Sequence, residues 1–232
     1  MIDPLHHYIS ESIPSFGKEK MTSRQRLRAF ETAPKLVEKV GSNRDFKPFY
    51  GNTTVFLLDD QVKATLGRLQ QELYDGAGWL LSRRLEPETF HMTLHDLANG
   101  PEKNAALERA MARAEAGTRP LLEQWRDLPP LRMQTTWLFN MVNTSIVLGL
   151  EPADARSWKQ LDGMYMALEQ VVPLGHAMTP HITMAYYRPD VYTVYDRHCL
   201  KKALHPVQLE LTLKMEDLVL QEFTDMNHYR NL

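Results

Sequence analysis

The sequence holds a single cysteine, Cys199, in 232 residues, so an internal disulfide is excluded, and no cysteine–histidine group has structural-zinc spacing. Such cysteine usage fits a reducing compartment. No apolar run approaches the ~20 residues that a membrane helix needs. The opening "MIDPLHHYISESIPSF" lacks both a basic start and a continuous apolar stretch. A cytoplasmic protein with no membrane partner is therefore expected. Charge of one sign is also scarce: a formal net charge of -2 excludes a chain that coats long nucleic acid by counterion release. What is present, 43% hydrophobic and 24% charged residues, is enough to build a packed interior, in one domain or in two lobes sharing a core.

Residues 1–50 mix proline, serine and charged residues and read as an extension packed on or over the domain that follows. Within it, "TSRQRLRAFETAPKLVEKV" (22–40) predicts a helix with Leu27, Phe30 and Leu36 on its apolar side, and His6 and His7 read as solvated. From Gly51 onward, strands and helices alternate. "TTVFLL" is a strand, and "DDQVKATLGRLQQELYDGAG" a helix capped by Asp59 or Asp60 and ended by Gly76. "WLLSR" and "FHMTLHDL" read as strands, and "ANGP" as a helix start leading into Leu107, Ala110, Met111 and Ala114 at helical spacing. After Pro129-Pro130 the theme returns: two strands in "LRMQTTWLF" and "TSIVLGL", a helix carrying Trp158, Leu161, Tyr165, Leu168 and Val172, then the strand "HITMAYY". A short helix near 191–204 leads to the strands "VQLELTL" and "LVLQEF". The pattern is a duplicated α+β unit within 51–232, lobe one about 51–130 and lobe two about 131–232.

Each lobe holds one strand of the form His-apolar-Thr-apolar: His91-Met92-Thr93-Leu94 and His181-Ile182-Thr183-Met184. With nine histidines, one His-x-Ser/Thr is expected by chance, but two flanked by apolar residues are expected on the order of one time in a hundred. In a strand, alternate side chains share a face. His91, Thr93 and His95 are thus expected on one face, and His181, Thr183 and Tyr187 on another, opposite Met92, Leu94, Ile182 and Met184. His95, Tyr187 and the adjacent Arg188 are candidate substrate contacts, and Tyr50, Trp137 and Phe139 are further aromatics that could frame a base. A metal on His91 and His95 is disfavoured, because strand neighbours two apart spread too widely to chelate and no carboxylate pattern completes a site.

Two such strands about ninety residues apart in a duplicated α+β chain resemble the 2H phosphoesterase superfamily, which includes the LigT-like RNA ligases and cyclic phosphodiesterases. The resemblance spans about residues 51–232, including the ending "LVLQEFTDMNHYRNL". It implies a bilobal fold with two antiparallel sheets around a central cleft and helices outside, with His91 and His181 as the catalytic pair and Thr93 and Thr183 holding the phosphate. His95 departs from the small, apolar or aromatic residue more usual there. The first fifty residues lie outside the minimal fold, so substrate choice does not transfer.

The chemistry also follows from the side chains. Opening a cyclic phosphodiester needs one proton removed from water and one delivered to the leaving oxygen, and imidazole, with an ordinary pKa of about 6.5, can do either. Threonine hydroxyls can donate to non-bridging oxygens, so no metal or other cofactor is required. The expected substrate is a 2',3'-cyclic phosphate, a 2',5'-linked oligonucleotide, another small nucleotide phosphodiester or an RNA end, with no obligate protein partner. The competing readings are a non-catalytic nucleotide-binding module and, within the enzymes, a 2'-5' ligase or an exonuclease acting on RNA ends.

Overall fold

The computed structural model describes residues 30–205 and 207–232. Ten strands and four helices follow one another in it: β1 (Phe30–Glu31), β2 (Tyr50–Leu57), α1 (Asp60–Ala77), β3 (His91–Gly100), α2 (Ala105–Trp125), β4 (Leu131–Met141), β5 (Ser145–Pro152), α3 (Ala155–Glu169), β6 (His181–Tyr186), β7 (Val191–Tyr192), α4 (Val194–Ala203), β8 (Glu210–Leu213), β9 (Leu218–Asp225) and β10 (His228–Asn231). Eight strands pair antiparallel in the order β10-β9-β2-β3-β6-β5-β4-β8, while β1 and β7 form a separate pair. The eight divide into two antiparallel halves of four, but not at the expected lobe bounds: β9 and β10, from the 131–232 stretch, cross back to complete the half that holds β2 and β3. The halves meet where β3 and β6 lie side by side through the pair Met92–Ile182.

Local chemistry sets the helix starts. Asp59 accepts from the Val62 amide at 2.8 Å and Asp154 from the Ser157 amide at 2.7 Å, and Asn104 accepts from the amides of Ala106 and Leu107. Thr193 and Asp196 form a reciprocal capping box on α4. Each device satisfies donors that the first turn leaves unpaired. Helix-facing strand residues Phe56, Met92, Leu94, Ile182 and Met184 then pack with Leu66, Leu69 and Leu73 of α1 and with Leu161, Tyr165 and Leu168 of α3 in one main core. Buried Gln70 of α1 donates to the carbonyls of Leu85 and Met184, tying lobe one to the second motif strand.

Several sequence expectations differ from the structure. The part of the 22–40 helix that is described is no α-helix: Phe30 lies in β1 and Pro34–Glu38 form a 3-10 turn, Pro34 having neither the amide nor the backbone freedom to continue an α-helix. The remainder of that helix, with His6 and His7, lies outside the described residues. "WLLSR" contributes a 3-10 turn, Gly78–Leu80, and only a bridge from Leu81 to Tyr187. "ANG" continues β3, since Gly100 and Asn99 pair with Tyr50 and Gly51, and α2 begins at Ala105. α1 runs through Gly76 to Ala77, and Gly76 permits a close helix contact: a Cβ there would sit 2.7 Å from that of Ala203.

Candidate active site

The register of β3 against β6 assembles the site. With Met92 opposite Ile182, His91 comes opposite Thr183 and Thr93 opposite His181, all four on the face away from those two fully buried residues. Opposed Cβ atoms in such a pair lie roughly 5 Å apart and the diagonal histidines roughly 7–8 Å, a gap that one phosphoryl group can fill. On the far side of β6, His181 pairs with Gly149. A Cβ at Gly149 would lie 2.4 Å from Thr136 Oγ1 and 2.9 Å from Phe139, so glycine is required beside the second histidine.

The same device orients both imidazoles. His181 Nδ1 lies 2.6 Å from the Thr179 carbonyl, and the His91 ring bonds to the backbone of Thr89. Each partner stands two residues before its histidine, so the motif in both lobes is Thr-x-His-x-Thr. A carbonyl can only accept, so His181 Nδ1 carries a proton and, in the neutral ring, Nε2 keeps its lone pair free. Among the described residues neither Thr93 nor Thr183 donates its hydroxyl to another protein group. Across the first lobe, the Tyr229 ring of β10 lies edge-on to His91, with centroids 5.1 Å apart. Two strands, β9 and β2, lie between β10 and β3 in the sheet, so this face is strongly curled and concave.

Burial lowers the His91 pKa to about 4, with His181 and Lys63 adding to the fall and the Thr89 carbonyl and Asp96 opposing it. Burial lowers that of His181 as well, again against its Thr179 carbonyl and Asp96. Both imidazoles are therefore neutral near pH 7. Asp96 is the carboxylate felt by both rings, and it favours the imidazolium form of each.

Period-two alternation breaks one residue after each threonine. The pairing slips between Thr54 and Val55 opposite β3, and between Ile146 and Val147 opposite β6, which leaves Leu94 and Met184 as bulge residues. The side chains that directly follow change face. His95, expected beside His91, is instead buried on the helix side, 3.0 Å from Glu169 Oε1 and packed on Tyr165. Tyr187 is likewise fully buried, between Phe30 and Tyr192, and not in the cleft. Arg188 beyond it is bound to the Asp190 carboxylate, and no contact brings it to the histidines. The cleft positions pass to Asp96 and Tyr186, which sequence reasoning missed. The signal was there only as a second polar or aromatic residue three after each threonine.

The segment before β2 walls one end of the cleft. Lys39 Nζ lies 4.7 Å from the Phe49 ring and 5.9 Å from that of Tyr186, and Phe46 meets Tyr186 edge-on. Leu36, Val40 and Phe49 are buried in the main core. On the lobe-two side, Trp137 and Phe139 join Val147, the partner of Thr183, in a small apolar cluster. Tyr50 sits at the other end of β2, opposite Gly100. Among the described residues no three His, Cys, Asp or Glu side chains are placed to hold a metal ion, and no helix is long and apolar enough to cross a membrane.

Residues 56–122 match the family model described as LigT like Phosphoesterase. No curated protein sequence matches the chain. Solved structures are similar to it at low identity. A conserved protein of unknown function from Agrobacterium tumefaciens is 18% identical, with 88% of this chain and 93% of that one covered and a TM-score of 0.62. A Thermus thermophilus protein is 17% identical, with 78% and 94% covered and a TM-score of 0.50. Escherichia coli LigT complexed with 3'-AMP is 12% identical, with 79% and 95% covered and a TM-score of 0.49. The first two likenesses establish the α+β fold, with its curled antiparallel sheets.

Proposed function

We propose, for a chain whose residues 56–122 match the model of the LigT-like phosphoesterases, that the concave face hydrolyses a small nucleotide phosphodiester such as a 2',3'-cyclic phosphate. The observation that carries this reading is the Met92–Ile182 register, which gathers two imidazoles and two threonine hydroxyls on one patch. The hydroxyls donate to the non-bridging oxygens, stabilising charge that grows as water attacks phosphorus. One imidazole takes the proton of that water while the other, protonated, gives its proton to the leaving ribose oxygen as the P–O bond breaks. The product is a nucleoside monophosphate, and proton exchange with solvent resets the pair. No step requires a metal ion.

The pH dependence follows in sign from the lowered imidazole pKa values. The free enzyme is competent with one ring neutral and one protonated, a form most populated between the two pKa values, both of which lie below 6.5. The kcat/KM profile in chelator, measured on a panel of nucleoside 2',3'-cyclic phosphates, should therefore be a bell centred on the acid side of neutrality. A bound anion stabilises imidazolium, so the kcat profile should lie at higher pH. Turnover lost on chelation, or kcat/KM still rising at pH 9, would contradict the scheme. Tight binding with no product across the panel would instead support a nucleotide-binding module.

A further inference from the structure

Beside the cleft, but outside the catalytic patch, lies a cavity of about 380 Å³ bordered by Arg44, Arg83, Arg84, Asn43, Asp45 and Tyr74. Three arginines line it against a single lining carboxylate, Asp45. Arg44 donates to the Gly78 carbonyl at 3.1 Å, and Arg84 donates through Nε to Gln70 at 3.1 Å and also to Gln71, neutral oxygens in each case. Arg83 forms an ion pair with Glu86 at 3.6 Å, longer than a hydrogen bond and with both side chains mostly exposed, so solvent screens it and the guanidinium keeps donors free. Asp45, still anionic, accepts from the Asn43 side-chain amide at 2.8 Å, so three guanidiniums stand against one carboxylate in the lining.

The groups are also held in place. Arg44 has a φ of 73°, a left-handed conformation uncommon outside glycine, in a turn closed by its amide to Gly41 and by the Arg83 amide to its own carbonyl at 2.7 Å. The Arg84 guanidinium stacks 5.3 Å from the Tyr74 ring centroid, and the Tyr74 hydroxyl donates to the Ser82 carbonyl. The Ser82 amide in turn donates to the carbonyl of cleft-facing Tyr186 at 2.9 Å, so the cavity adjoins the end of the second motif strand.

We propose that this cavity is a second anion site that binds a phosphate monoester or pyrophosphate group. Planar guanidiniums that keep donors for a ligand match phosphate oxygens, and the volume admits a phosphate group with part of its ester. Its two sources are a second phosphate on the substrate bound in the cleft and a separate phosphate-bearing effector.

Calorimetric titration of the full chain with pyrophosphate tests the site. The His91→Ala/His181→Ala double variant should still bind, and Arg83→Gln should weaken binding about tenfold. Arg83 is mostly exposed, so its replacement leaves the fold intact, and Arg44→Gln supplies a second reading. Binding unchanged in both arginine variants, or abolished in the histidine double variant, would overturn the proposal. The source is separated by comparing nucleoside 2',3'-cyclic phosphates with and without a 5'-phosphate. A lower KM for the bisphosphorylated compound that disappears in Arg83→Gln identifies the substrate, and equal KM values with pyrophosphate binding retained identify an effector.

Discussion

Replacing either His91 or His181 by alanine should reduce hydrolysis of a nucleoside 2',3'-cyclic phosphate by about 10²–10⁴-fold, the usual contribution of one positioned acid or base. The double variant should be little worse than either single one, because an acid and a base acting in one step fail together. The pH profile is the specific signature: each single variant should keep only one limb of the wild-type bell. His95→Ala is the control. Its ring is buried against Glu169 and Tyr165 on the helix side, so its loss should cost about 2–4 kcal/mol of stability and leave the rate per folded molecule close to wild type. A His95→Ala protein that folds normally but shows a raised KM would place that ring in the cleft after all.

Thr93→Val and Thr183→Val should each lower kcat by about 10²–10³-fold with a smaller change in KM. The exchange keeps the branched shape that a strand accommodates and removes only the hydroxyl. The donors act most strongly where charge builds on the non-bridging oxygens, so the loss belongs to the transition state. Thr→Ser at either site keeps the donor and should restore most of the rate. Equal losses for Val and Ser would mean that shape, and not hydrogen bonding, is what the position supplies.

The candidate site was legible as far as local alternation holds. His91, Thr93, His181 and Thr183 share a face because the two strands are regular from the histidine to the threonine. Both strands then bulge, and no residue type at Leu94 or Met184 announces it, since a bulge depends on the partner strands β2 and β5. One slip was enough to turn His95 and Tyr187 inward and to bring Asp96 and Tyr186 out. The threonine two before each histidine was visible as a repeated letter, but its role is played by a backbone carbonyl, which side-chain motifs do not encode.

Helices α1 and α3 followed from apolar spacing, and the start of α1 from Asp59. The segment from Phe30 to Phe49 did not, because its contacts are long-range. Phe30 stacks on Tyr192, and Phe49 donates its amide to the Thr224 carbonyl. Those contacts bring Lys39 and Phe46 onto Tyr186, which no local pattern could indicate.

The most direct measurement is a crystal structure of the protein with the nucleoside 2'-phosphate or 3'-phosphate product bound. One phosphate is expected with an Nε2 atom from each of His91 and His181, and the hydroxyls of Thr93 and Thr183, at hydrogen-bond distances of about 2.6–3.2 Å. A phosphate held by only one lobe, or seated away from both imidazoles, would contradict it.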